Sequence, residues 1–245
     1  MALECRDVSF SFKDNNGVEK QILKDLTFSL DTNQIKLVYG HIGAGKSTLI
    51  YLLAGLLDDF EGEIVWDDYH FKNTSSTLDK IRSKYMSINF SNFFYLKDMD
   101  VENNIMFPAV FSKKKKSYIN DRLEMMYETF SNIRLSDTEV FDLKSFRKKK
   151  IGTMSNGQRE IVMLARMLMN DSKYILADEM LRSFNTNVKK QMLEILFEKF
   201  HFGTSNSVLV ITHDDKMVEY MNHYSKGRAE ITAYDFIDKT LRERK

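Results

Sequence analysis

The stretch GHIGAGKST, Gly40 to Thr48, fits the spacing G-x-x-x-x-G-K-[ST], with Gly40, Gly45, Lys46 and Ser47 in the fixed places. Glycine lets a backbone close around a polyphosphate and turn its N–H groups inward. The main chain of Gly40, His41, Ile42, Gly43, Ala44 and Gly45 is therefore expected to cradle the anion. Lys46, Ser47 and Thr48 open the helix whose N-terminus faces it. Lys46 adds a point charge for the outer phosphates, and Ser47 offers a hydroxyl to Mg²⁺. A second apolar run, YILADE (Tyr174 to Glu179), ends in two acids. Asp178 beside the phosphate loop would reach Mg²⁺ directly or through water, and Glu179 would polarise a water for in-line attack. A third run, SVLVITHD (Ser207 to Asp214), carries His213 at the end where ligands gather in open α/β sheets, so a γ-phosphate contact is expected. MSNGQ, Met154 to Gln158, sets Ser155, Asn156 and Gly157 at a helix start, able to cap it and to leave N–H groups for an anion. Alone, that last stretch is an ordinary helix beginning.

These residues need elements to hold them. QIKLVY (Gln34 to Tyr39) reads as a buried strand leading into the phosphate loop, and TLIYLLAGLL as the buried helix leaving it. LECRDVSFSF and Ile22 to Leu30 read as antiparallel strands around the turn DNNG, Asp14 to Gly17. GEIVWDD (Gly62 to Asp68) and KYMSINF (Lys84 to Phe90) read as further strands, and REIVMLARMLM has helical periodicity. From about Asp100 to Met154 the texture becomes charged and helix-prone, as for an inserted helical unit. Its lysine runs, Lys113 to Lys116 and Arg147 to Lys150, lack interleaved aromatics and read as solvated helix ends or loops rather than lipid or nucleic-acid sites. Strands alternating with helices imply an α/β fold with a mainly parallel sheet. The tail from Ala229 to Lys245 is too short for another domain.

The bulk numbers exclude little but exclude it clearly. The chain has 245 residues, 43% hydrophobic and 29% charged, with a net charge of +1, so no global field favours nucleic acid or an anionic membrane. Cys5 is the single cysteine, which rules out an internal disulfide and fits a reducing compartment. The start MALECRDVSF lacks the basic-then-apolar pattern of a secretory signal, and no apolar run reaches bilayer length. Membrane work is expected to come through a partner.

Taken together and in order, these segments resemble the ATP-binding subunit of an ABC transporter over nearly the whole chain. GHIGAGKST resembles the Walker A motif, MSNGQ the signature motif written LSGGQ, YILADE Walker B with its catalytic glutamate, and Thr212 to Asp214 the switch histidine. The resemblance implies a P-loop NTPase (RecA-like) core with an N-terminal antiparallel β subdomain and an inserted α-helical subdomain. It implies one domain over 1–245, with the core at about 1–90 and 160–245 and the helical part at about 91–159. It also implies ATP and Mg²⁺ as ligands, with Phe12 stacking on adenine. Two such chains, identical or paralogous, would pair head to tail around two ATP, so that Ser155, Asn156, Gly157 and Gln158 act on the partner's nucleotide. Glu179 would be the general base, His213 would hold the γ-phosphate and Lys46 would stabilise transferred charge. DVENNIMFP (Asp100 to Pro108) and NDSKYILADE resemble the lipoprotein-release and macrolide-export group, and the latter also the related cell-division ATPase. That likeness implies integral membrane permease subunits as partners and a peripheral place on the cytoplasmic face of a bacterial inner membrane.

The chain departs from the family pattern at named places. Ser91 falls where the Q-loop glutamine belongs, as a third metal-side residue, with Asn89 or Asn92 as a nearby substitute. EMLRSFN, Glu179 to Asn185, stands for E-P-T-x-x-L-D, with Met180 for proline and Asn185 for aspartate; Asn156 replaces a signature glycine. Two readings follow from the same residues: an active ATPase, supported by Lys46, Asp178, Glu179 and His213, and a subunit that uses ATP mainly to dimerise, favoured by Ser91 and Asn185. A third, a soluble ABC protein acting on ribosomes or DNA, lacks the tandem domains or long coiled coils it needs, so no nucleic acid is expected.

Overall fold

The computed structural model describes residues 2–14, 16–71, 76–91 and 95–244. Asn92 therefore lies outside the described residues. The chain opens with two long strands, β1 (Ala2–Lys13) and β2 (Glu19–Asp31), paired antiparallel across the turn at Asp14, whose carboxylate accepts the N–H groups of Asn16 and Val18. After β3 (Gln34–Tyr39) and α1 (Lys46–Leu53) come β4 (Glu61–Trp66) and β5 (Tyr69–Phe71), which complete an antiparallel sheet in the order β2-β1-β4-β5. The helix after the phosphate loop is thus eight residues long, shorter than its apolar run suggests, and ends in a turn at Ala54 and Gly55.

The main sheet is built from distant segments. With α2 (Ser76–Tyr85), β6 (Met86–Asn89), β9 (Tyr174–Asp178), β10 (Ser207–Ile211), β11 (Glu230–Ile237) and β12 (Thr240–Glu243), its order is β12-β11-β3-β10-β9-β6. All neighbours are parallel except the β11–β12 hairpin at one edge. The tail is therefore sheet, not appendage. Alternation along the buried strands feeds two cores. Ile175, Ala177, Val208 and Val210 face the helices on one side; Tyr174, Leu176, Leu209 and Ile211 face α1 and the antiparallel sheet on the other. The fold is a mixed α/β architecture with a mostly parallel sheet and an antiparallel β subdomain.

Between β6 and β9 lies the helix-rich stretch: α3 (Val101–Phe111), α4 (Lys116–Thr129), a small hairpin of β7 (Ile133–Arg134) and β8 (Val140–Phe141), two short 3-10 turns and α5 (Asn156–Met167). Its lysine runs serve the fold. Lys113 to Lys116 lead into α4, and Lys148 donates to Glu102 at 2.7 Å. Asn104 on α3 is fully buried; its amide donates to the carbonyls of Leu96, Met99 and Asp100 and its oxygen accepts from Leu96 N–H at 2.8 Å. That one side chain satisfies a loop that would otherwise carry unpaired backbone groups.

After β9 the chain turns through 179–185 into α6 (Thr186–Phe200), and β10 is followed by α7 (Met217–Ser225). Asn185 is the N-cap of α6. Its Oδ1 accepts the Val188 N–H at 3.1 Å, and its amide donates to the Leu135 carbonyl. The replacement of aspartate by asparagine thus keeps the cap. Asn185→Ala is expected to lower stability by about 1 kcal/mol, and Asn185→Asp by less, because the carboxylate keeps the cap and loses only the long amide contact to the Leu135 carbonyl. Urea unfolding with an unchanged slope for both variants checks this.

Candidate nucleotide-binding site

Parallel pairing decides where the site is. Ile211 at the end of β10 stands in register with Val38 of β3 on one side and with Asp178 of β9 on the other. The three loops that follow these strands therefore leave the same edge of the sheet, side by side. The ladder continues just beyond the strands: Glu179 N–H donates to the Ile211 carbonyl at 2.9 Å, and Thr212 N–H to the Val38 carbonyl at 3.1 Å. A cavity of about 440 Å³ lies at that edge. Ile42, Gly43, Ala44, Gly45, Lys46, Ser47 and Thr48 line it, facing Ser91, Asp178, Glu179, Arg182 and His213.

The phosphate loop is tightly wound. Gly45 has φ +110°, and a Cβ there would sit 2.6 Å from Cγ2 of Ile22, so both conformation and space require glycine. Lys46 is buried, and its Nζ donates to the carbonyls of Gly40 at 2.7 Å and His41 at 2.8 Å, closing the loop on itself. Burial draws its ammonium below the ordinary lysine range, with Glu179 and Asp178 acting against that. The imidazole Nδ1 of His41 lies 2.9 Å from the Ile42 carbonyl, so it helps shape the loop rather than enter the cavity.

Across the cavity, Ser47 Oγ donates to Asp178 Oδ2 at 2.7 Å. Neighbouring oxygens on an octahedral Mg²⁺ shell are about 2.9 Å apart, from bonds of about 2.1 Å. The serine–aspartate pair, with the Ser91 hydroxyl on the same cavity, is the hard oxygen donor set that this ion takes. Asn89 is buried on β6 beside Ala177. Glu179 sits in left-handed backbone at φ +55°, and its Oε1 lies 3.0 Å from His213 Nε2; its other oxygen is paired with Arg182. The strain follows the general tendency of functional turns.

Four expected residues stand elsewhere. Ser155 caps α5, accepting from Gln158 N–H at 3.3 Å while Gln158 Oε1 accepts from Ser155 N–H at 3.2 Å. Ser155 and Asn156 are exposed, and none of Ser155 to Gln158 lines the phosphate cavity. Within one chain, then, the structure does not bring this helix start to the phosphate loop. Phe12 also lies off this cavity. It stacks edge-on against Phe10 at 4.7 Å and lines an adjacent cleft with Asp58, Asp59 and Phe60. Its register partner Lys20 is two residues from Ile22, the antiparallel-sheet residue that does reach the phosphate loop.

Sequence reasoning missed three participants. Ile22 gives no signal beyond strand alternation. Arg182 occupies an open place in the pattern E-P-T-x-x-L-D. Glu160 joins the two ends of the machinery. It is buried in α5, and its Oε2 accepts the Ser183 N–H at 2.9 Å, while Gly157 approaches Phe184. The helix that carries Ser155 is thereby tied to the loop that carries Glu179.

A P-loop between strand and helix, facing a strand-end acid pair and a histidine just beyond the adjoining strand, defines a nucleotide-triphosphate-binding α/β protein. Residues 23–182 match the ABC transporter family, and the chain belongs to it. It is 28% identical over 223 residues to the lipoprotein-releasing system ATP-binding protein LolD 2 of Rhodopirellula baltica, covering 89% of this chain and 84% of that one. It is likewise 28% identical over 222 residues to the lipoprotein-releasing system ATP-binding protein LolD of Buchnera aphidicola, covering 89% and 90%. Two dimeric structures of the ATP-binding cassette MJ0796 superpose with a TM-score of 0.80 over 100% of this chain and 98% of theirs, one of them in a post-hydrolysis state bound to ADP and Pi. At 20% and 22% identity they establish a shared fold.

Burial raises the Glu160 carboxyl above the usual range, against the hydrogen bonds from Ser183. A raised folded-state value means that its stabilising contribution is complete below the unfolded value and is lost as pH climbs through the folded one. Glu160→Gln keeps the acceptor and cannot ionise. Its melting temperature relative to wild type is expected to rise as pH climbs above the ordinary carboxylate range. A pH-independent difference in calorimetric scans contradicts this.

Proposed function

We propose that the chain is the ATP-binding and ATP-hydrolysing subunit of a bacterial ABC complex of the lipoprotein-release type. It would work as a single cassette over 1–245, with a core at about 1–90 and 160–245 and a helical part at about 91–159. The observation that carries this reading is one cavity that gathers the phosphate loop, the Ser47–Asp178 oxygen pair and the Glu179–His213 contact. Similarity to two lipoprotein-releasing ATP-binding proteins over most of both chains supports the subgroup.

In this reading the loop N–H groups and Lys46 bind the phosphates of ATP, with Phe12 stacking on the adenine at the adjoining cleft. Ser47, Asp178 and Ser91 would hold Mg²⁺, which when bound would supply positive charge for the phosphoryl oxygens. Glu179 accepts a proton from the attacking water, and His213 orients Glu179 and contacts the terminal phosphate. Ser155 to Gln158, which do not line their own chain's cavity and of which Ser155 and Asn156 are exposed, serve the nucleotide of a second cassette. Closing and opening of that dimer would be coupled to ATP and product by their different affinities for the two states. Among the described residues no helix is long and apolar enough to cross a membrane. Force would therefore pass to integral permease subunits, with the cassette peripheral on the cytoplasmic face of the inner membrane.

Single-turnover hydrolysis with radiolabelled ATP tests the catalytic assignment. Glu179→Gln is expected to slow the chemical step roughly 10²- to 10⁴-fold while ATP still binds. Equal, slow rates in wild type and variant would instead support the reading in which ATP serves mainly to dimerise the subunit, which Ser91 and Asn185 favour.

A further inference from the structure

Glu179 is held between two partners, Arg182 and His213, and the arginine has no place in the proposed mechanism so far. Arg182, three residues on, donates to one carboxylate oxygen while His213 faces the other. Arg182 also lines the phosphate cavity together with Gly43 to Thr48, and its side chain is 48% exposed. The loop between is short and set by backbone, with Glu179 and Leu181 both at positive φ and Arg182 N–H reaching back to the Glu179 carbonyl. So the guanidinium has two acceptors within its arc: the Glu179 carboxylate, and whatever anion fills the cavity. A guanidinium binds phosphoryl oxygens in the same forked geometry that it uses for carboxylate.

We propose that Arg182 is a second phosphate-binding cation of this site: it holds Glu179 when no nucleotide is bound and exchanges that carboxylate for the terminal phosphate of a nucleoside triphosphate. The exchange would release one oxygen of Glu179 to the attacking water at the moment when triphosphate is present. Arg182 is then a sensor of the terminal phosphate as well as a ligand for it. The inference rests on the nucleotide-site reading above.

The test is a double-mutant cycle read by calorimetric titration with ATP and with ADP, in EDTA so that no hydrolysis occurs. The proteins are wild type, Arg182→Ala, Glu179→Gln and the double variant, with Arg182→Lys as the conservative replacement. Arg182→Ala is expected to weaken ATP about tenfold and ADP by less than about twofold, with Arg182→Lys in between. Glu179→Gln is expected to tighten ATP in both backgrounds, and more so when Arg182 is present. With arginine, the substitution removes both the repulsion of the phosphate and the pair that must break. Without arginine, it removes only the repulsion. If Arg182 instead stays on Glu179, it screens that carboxylate throughout, and the gain is larger in the Arg182→Ala background. That sign, or equal losses for ATP and ADP in Arg182→Ala, overturns the proposal while leaving nucleotide binding intact. Failure of every protein to bind either nucleotide overturns the nucleotide-site reading and this inference with it.

Discussion

The structure depends on the parallel pairing of three buried strands whose ends stand in one row. Ile211 lies between Val38 and Asp178, and that register alone brings the phosphate loop together with the strand-end acids and His213, which lie more than a hundred residues further along the chain. Parallel strands of this kind must be covered on both faces, which explains the composition of β9 and β10: every position is buried, and alternate residues feed opposite cores. A slip of one residue would exchange the faces and move Asp178 away from Ser47. The chemistry is thus fixed by the packing of apolar side chains that take no part in it.

The second constraint is the loop from Glu179 to Asn185. Its first residue is held in left-handed backbone, its middle is bonded to Glu160 of α5, and its last residue caps α6. Movement of α5 therefore cannot leave Glu179 undisturbed. Ser155 to Gln158 form the exposed end of that helix, so contact there with another molecule has a short, hydrogen-bonded route to the acid in the chain's own cavity. Burial makes the Glu160 carboxyl costly to keep ionised, and its Oε1 has no hydrogen-bond partner among the described residues.

What the sequence makes legible here is what short-range spacing encodes. QIKLVY before GHIGAGKST, YILADE and SVLVITHD are apolar runs that end in glycine or polar residues, and each forms a strand of the parallel sheet. Ser91 reaches the cavity as its alignment implies. The rest depends on long-range packing. Ile22 is one aliphatic residue among many on β2, and only the path of the phosphate loop makes it the wall behind Gly45. The tail gives little hint of sheet because β11 is half-buried and β12 mostly exposed, so neither shows the dense apolar run of a central strand. Asn104 looks like one of three polar residues in the first turn of α3, yet it is buried and satisfies the Leu96 to Asp100 loop. Phe12 is a strand aromatic whose distance from the phosphate loop no spacing reveals.

The central claim is that the phosphate cradle of one chain is completed by Ser155 to Gln158 of another. Mixing two inactive variants tests it most directly: Lys46→Ala, which damages the cradle, and Ser155→Arg, which blocks the exposed helix end. In a mixed pair, the sound cradle of one chain meets the sound helix end of the other. The account predicts that each variant alone hydrolyses almost no ATP, and that an equal mixture regains about one quarter of wild-type activity through random pairing. A mixture as inactive as its components, or a Ser155→Arg protein that keeps full activity alone, would contradict the shared site.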